Sequence, residues 1–202
     1  MTGGQAITET LKVHDVDTIF GIISIHTLDL FDSLFDNQDS LRFIGGRQEL
    51  GCGFMADGYA RISGHPGVAL VISGPGVTNA LTAVGQSWAD SVPMLLLSSE
   101  TDSRTHGKGW GALHEIPDQR SVTAPMTALS MRAYSPKDVP EMLAQTFMIF
   151  NTSRPRPVHL SIPIDVLAMP VDEEWQPVSM PAPPMPRNSH IQQAVEMLRK
   201  AE

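Results

Sequence analysis

The chain has little of what several whole classes of protein are built from. Only one cysteine, Cys52, occurs in 202 residues, so no internal disulfide is available and nothing calls for an oxidising compartment. Cys52 itself reads as a buried, inert thiol. Basic residues are in deficit: 14 Lys and Arg stand against 22 Asp and Glu, a formal charge of -8. That balance lacks the electrostatic footprint of a nucleic-acid binder. No apolar run approaches the ~18 residues needed to span a membrane, and no basic segment followed by an apolar stretch opens the sequence. The expectation is a cytoplasmic protein with neither nucleic acid nor membrane as partner. Gly-Lys-Ser/Thr of a phosphate loop is absent, as is any His/Cys/Asp cluster at metal-ligand spacing, so no metal site is expected within this chain. Internal repeats and coiled-coil heptads are missing too.

What is there is an alternation of helices and strands. With 42% hydrophobic and 18% charged residues, the composition is ordinary for a soluble globular domain large enough to bury a core. Residues 3–13 predict a helix with Ala6, Ile7 and Leu11 on a partial apolar stripe. "DTIFG" follows as a short strand ending in glycine, "HTLDLFDSLF" repeats Leu28, Phe31, and Leu34 with Phe35 at helical spacing, and "LRFIGG" reads as a second strand. Cys52, Met55, Ala56, Tyr59 and Ala60 then recur at i, i+3, i+4, i+7 and i+8, one buried helical face. "GVALVIS" and "VPMLLLSS" are continuous apolar runs with a glycine turn and helix between them. "PEMLAQTFMIF" and "PVHLSIP" supply one more helix and a final strand. Strands buried on both faces and separated by helices predict an α/β fold: a doubly wound, mainly parallel sheet with helices on both faces and ligands at the strand carboxyl ends.

Composition changes after Ala168. Residues 169–187 are proline-rich and read as an extended linker. Residues 188–202 start afresh as an amphipathic helix with Ile191, Ala194, Val195 and Leu198 on one face. The expected organisation is a domain over 1–168, the linker, and the first helix of a following domain that is cut short.

Three strand-to-helix junctions carry the candidate chemistry: "GIISIH", "GGRQE" and "SGPGVTN". In an open parallel sheet they lie along one edge and line a single crevice. "SGPGVTN" is a weak phosphate cradle, having Gly74 and Gly76 but Asn79 where a dinucleotide fingerprint places a third glycine. Glu49 is the sharpest residue. It reads either as a first-turn acid favoured by the helix dipole or as a carboxylate meeting a nitrogen heterocycle, its pKa raised by poor solvation, with Gly45, Gly46, Gly51 and Gly53 giving clearance for a flat ring.

"RQELGCGFMADGYARISGHPGVALVISGPGVTNALTAVGQSWADSVPMLLLSS" resembles the pyrimidine-binding, N-terminal domain of thiamine diphosphate-dependent enzymes of the acetolactate synthase and 2-oxo acid decarboxylase superfamily. The resemblance runs from about Gly3 to Ile164. Arg-x-Glu, Ala-Asp-Gly-Tyr-Ala-Arg and Ser-Gly-Pro-Gly-x-Thr-Asn together in one chain form a specific combination. It implies that Glu49 hydrogen-bonds a ring nitrogen of the cofactor's aminopyrimidine and favours its imino form, which takes the proton of the thiazolium carbon. Ser24, Ile25, Gly74, Pro75 and Asn79 fall on family positions beside the pyrimidine, although "GIIS" stands where the family usually has Gly-x-Pro-Gly, and Gln48 where it often has His. His114 occupies a substrate-side position, as proton donor or as the group orienting the substrate carboxylate. Leu113 and His26 are its expected neighbours on the substrate side. "LHEIPDQR" resembles decarboxylases of guanidino-type 2-oxo acids, which implies that Glu115 or Asp118 meets a cationic substrate tail. The other histidines, His14, His65, His106, His159 and His190, read as structural or exposed.

The family's Gly-Asp-Gly…Asn motif, which binds diphosphate through Mg2+, does not occur in these residues and belongs to a separate pyrophosphate-binding domain. The implied cofactor is therefore thiamine diphosphate, with only its pyrimidine half bound here, and the fragment is expected to be inactive alone. The implied assembly is a homodimer or homotetramer with the active site between subunits. A flavin (FAD) requirement stays open, as does decarboxylation of a 2-oxo acid against carboligation. The alternative from a different class is a non-catalytic nucleotide-binding or interaction module on the same fold.

Overall fold

In the computed structural model residues 1–172 and 181–201 are described; the expected linker lies partly outside the described residues. Six strands form one sheet: β1 (Thr18–Gly21), β2 (Arg42–Gly45), β3 (Gly67–Val71), β4 (Met94–Glu100), β5 (Leu129–Arg132) and β6 (Val158–Pro163). Their order across the sheet is β2-β1-β3-β4-β6-β5 and every pairing is parallel. This is the doubly wound α/β sheet that the apolar runs predict. The apolar runs of β3 and β4 are buried along their whole length because helices cover both faces.

One face carries α1 (Gly3–Val13), α2 (Leu28–Asp36), α6 (Asp138–Thr152) and α7 (Ile164–Ala168); Ile7, Leu11, Leu30, Leu143 and Leu167 pack there against Ile19, Leu95 and Leu160. The other carries α3 (Glu49–Ser63) and α4 (Pro75–Asp90), whose Cys52, Ala56, Val77, Ala80 and Val84 meet Ala69, Val71 and Leu96. Local sequence sets the ends. Thr2 and Gln5 close a capping box on α1. Gln48 accepts the Gly51 amide at 3.0 Å to cap α3, which stops at Gly64 with φ +77°. Pro75 opens α4 at its first turn. Beside α1, Thr2 bridges Pro170 and the Val171 amide donates to the Met1 carbonyl at 2.7 Å.

Local detail goes beyond the sequence pattern at α2, at β5 and in the short helix ahead of β5. On α2, Leu30, Ser33 and Leu34 are buried, whereas Leu28 and Phe35 are 54% and 69% exposed. The helix turns Leu30 and Leu34 into the core shared with α1, leaving Leu28 and Phe35 on the rim of a groove beside edge strand β2. There Phe31 meets Phe43 edge-on at 4.7 Å. Strand β5 and the short helix α5 (Gln119–Thr123) have no counterpart in the hydrophobic pattern. Helix α8 (Asn188–Lys200) forms where predicted, with Ile191, Val195 and Leu198 exposed.

Candidate cofactor site

Strand order reverses between β1 and β3, and the crevice at their carboxyl ends is where such sheets bind ligands. After β1, Ser24 caps a 3-10 turn over Ile25–Thr27, its hydroxyl 2.7 Å from that of Thr27. The turn leaves Ile25 65% exposed and buries His26, whose Nδ1 lies 2.7 Å from Ser73 Oγ. Burial and the neighbouring His114 hold the His26 pKa below the usual imidazole value. After β3, Gly74 takes φ +58° and starts α4. A side chain there would strike the His114 carbonyl, so this position needs glycine for both conformation and space.

Glu49 opens α3 and is half-buried. Its Oε2 accepts from Asn79 Nδ2 at 3.0 Å, while Oε1 carries no hydrogen bond among the described residues. A Cβ built on Gly76 would lie 3.7 Å from Oε1. One carboxylate oxygen is thus oriented by the protein and the other is free, which fits a nitrogen heterocycle offering a donor. The glycines around Glu49 divide. Gly46 and Gly53 are needed inside, against Cys52 Sγ and Ala83 Cβ, whereas Gly45 has only Phe43 within reach and Gly51 has nothing within 4 Å. Cys52 is fully buried and burial pushes its thiol pKa up, as an inert thiol requires.

Among the described residues His114 is one of three non-glycine residues with positive φ, at +59°. Its ring stands edge-on to that of His26 with centroids 6.2 Å apart. It borders a cavity of about 650 Å³ shared with Gly107, Gly111, Glu115 and Ile116, and Leu113 beside it is exposed. The structure therefore brings together Glu49 with Asn79, and His26 with Ser73, Gly74 and His114. Ser24 turns its hydroxyl to Thr27, and Pro75 is exposed at the α4 terminus.

The acids expected to meet a cationic tail are engaged locally. Glu115 accepts the amides of Gly109, Gly111 and Ala112 at 3.0, 2.7 and 3.0 Å, stapling its glycine-rich loop. Asp118 caps α5 through the Arg120 amide and takes the Ser121 hydroxyl. The Ala-Asp-Gly-Tyr-Ala-Arg motif is likewise structural: buried Asp57 receives Arg61 Nε and Ser87 Oγ at 2.6 Å each and ties α3 to α4. His159 is fully buried among Ser98, Thr123 and Ser130, His14 stacks on Phe147, His106 lies 2.9 Å from the Thr101 carbonyl, and His65 and His190 are exposed.

Two features escape sequence reasoning. Glu100, at the end of β4, is buried and takes a two-pronged pair from Arg132 Nε and Nη2, one edge of the guanidinium, and it also accepts from Ser161 at 2.6 Å. Gln119, 1% exposed, has four partners on three separate strand ends. Neither has a local signal, because their hydrogen-bond partners are remote in sequence.

The family model "Thiamine pyrophosphate enzyme, N-terminal TPP binding domain" matches residues 1–122. The whole chain is 50% identical to 36% of the probable 2-ketoarginine decarboxylase AruI of Pseudomonas aeruginosa. It is 34% identical to 32% of the acetolactate synthase large subunit of Corynebacterium glutamicum. Over 83% of its length it is 36% identical to 24% of the mitochondrial acetolactate synthase catalytic subunit of Saccharomyces cerevisiae. The chain thus spans about a third of the length of the curated relatives that it matches end to end. Glu49 on its capped helix, the Ser73–Asn79 turn and this match lead to one conclusion: the chain belongs to the thiamine pyrophosphate enzyme family, as an N-terminal TPP-binding domain.

Proposed function

We propose that this domain activates the pyrimidine half of thiamine diphosphate in an enzyme that decarboxylates a 2-oxo acid. The observation that carries the reading is the Glu49 carboxylate, one oxygen held by Asn79 and the other free beside Gly76. When bound, the cofactor supplies a nucleophilic carbon and an electron sink. Glu49 Oε1 would share a proton with a ring nitrogen of the bound cofactor, with Asn79 fixing the carboxylate for that role. Ser24, Ile25, Gly74 and Pro75 would supply the remaining wall around it. His26, with Nδ1 tied to Ser73 and held neutral by burial, keeps Nε2 for the substrate. His114 holds a proton for the product carbon or orients the substrate carboxylate, with Leu113 as apolar cover.

The substrate class that the 50% identical decarboxylase suggests is a 2-oxo acid with a guanidino end. Glu115 and Asp118 already serve their own loop and helix, so the cationic tail draws on acids outside this chain. Magnesium and the diphosphate belong to a pyrophosphate-binding domain, and the working unit is a homodimer or homotetramer with the site between subunits. A flavin, if used, binds elsewhere. The test is carbon dioxide release from a panel of 2-oxo acids by the full-length enzyme with thiamine diphosphate and magnesium. Glu49→Gln keeps the shape and removes the ionisable carboxylate, and is expected to lower kcat by about 100-fold or more. Full activity in that variant overturns the assignment.

A further inference from the structure

We propose that Gln119 is a positioning residue that sets the backbone on which His114 and the pyrimidine loop rest. This rests on the reading of Gly74 and His114 as parts of one site. The Gln119 side chain is buried, and its orientation follows from its partners. The Gly74 amide can only donate, and it lies 2.8 Å from Oε1. The Ser99 carbonyl can only accept, and it lies 2.8 Å from Nε2. No flipped amide satisfies both. Nε2 also has Ser161 Oγ at 2.9 Å and Ser98 Oγ at 3.0 Å, so two hydrogens are shared among three acceptors.

The consequence runs through Gly74. That residue needs φ +58° to turn from β3 into α4, and its amide has no other acceptor among the described residues. A Cβ on Gly74 would fall on the His114 carbonyl, which shows how closely the two backbones are seated. His114 itself holds φ +59°, a conformation that costs a non-glycine residue free energy and persists only where its surroundings impose it. The six residues from His114 to Gln119 thus connect a candidate residue with a strained backbone to its anchor. Gln119 fixes Gly74 to the ends of β4 and β6, and Gly74 carries His114 and, through Ser73, His26. Nothing in the network needs the cofactor to be present.

The test uses amide exchange and imidazole titration by NMR on this chain. In the wild type the Gly74 amide is expected to be protected at least about 100-fold against free exchange, since a buried side-chain acceptor holds it. Gln119→Met keeps the length and removes all four hydrogen bonds. It is expected to abolish that protection and to move the titration midpoint of His26, whose Nδ1 lies on Ser73, by about 0.5 pH or more. Thr123→Val, on the same short helix but bonded to His159 and Ser130, is expected to lose stability while leaving both readings unchanged. Free exchange of Gly74 in the wild type overturns the inference even if Gln119→Met does not fold. So does a folded Gln119→Met with wild-type protection and titration, or a Thr123→Val that moves both equally. Because no cofactor enters these measurements, they succeed or fail separately from the carbon dioxide assay on Glu49→Gln.

Discussion

Buried between Ser98 on one ring nitrogen and Thr123 with Ser130 on the other, His159 is held neutral, its pKa lowered to about 3 by desolvation and the nearby Arg132 charge. The unfolded chain takes up a proton near pH 6.5 that the folded chain refuses, so stability falls as pH drops through the unfolded value. Between pH 7 and pH 5 this one group is expected to cost about 2 kcal/mol. The His26 and His14 shifts, also downward, act with the same sign. Urea denaturation at the two pH values should show the drop, and His159→Gln, though less stable at pH 7, should flatten it. At this scale the sequence is readable where a residue acts locally. Glu49 stands out because it heads a helix beside a glycine-rich stretch. Gln119 and Glu100 stay hidden, since their partners arrive from strands 20 to 60 residues away.

Helix α3 shows how one residue type serves opposite ends. A Cβ on Gly53 would meet that of Ala83 at 2.6 Å, whereas one on Gly58 would meet nothing within 4 Å. Gly58→Ala should therefore stabilise this chain by about 0.5–1 kcal/mol through helix propensity alone, while Gly53→Ala should destabilise it by forcing α3 from α4. Thermal melts of the two variants should move in opposite directions. The Asp57 tie between the same helices predicts a larger loss for Asp57→Ala, about 2 kcal/mol, than for Arg61→Ala, whose guanidinium is partly solvated. Elements with long apolar patterns were legible: α1 over its full span, β3 and β4 as uninterrupted runs. Strand β5 was not, because it lies half-exposed at the sheet edge and its alternation of Leu129 and Met131 with Ser130 and Arg132 spans only four residues, too short to stand out. The apolar residues of α2 were recognised, but which of them are buried was not legible, since periodicity gives a stripe and not which neighbour meets it.

On the scale of the whole molecule, an all-parallel sheet places every strand's carboxyl end on one edge, and the residues proposed to face the pyrimidine gather there. The diphosphate side has no counterpart, because these residues contain no Gly-Asp-Gly motif. Isothermal titration of this chain with thiamine diphosphate and magnesium is expected to give no binding at micromolar concentrations, and no carbon dioxide should be released from 2-oxo acids. Affinity should appear only when the pyrophosphate-binding domain is supplied.

The left-handed backbone of His114 sets the chain's fitness for use against its robustness. Glycine or asparagine would adopt φ +59° with less strain, for a gain of about 1 kcal/mol. Random mutagenesis scored only on heat tolerance should therefore recover His114→Gly or His114→Asn among its winners, each missing the imidazole proposed to serve the substrate. An engineer hardening this protein would do well to treat position 114 as off limits.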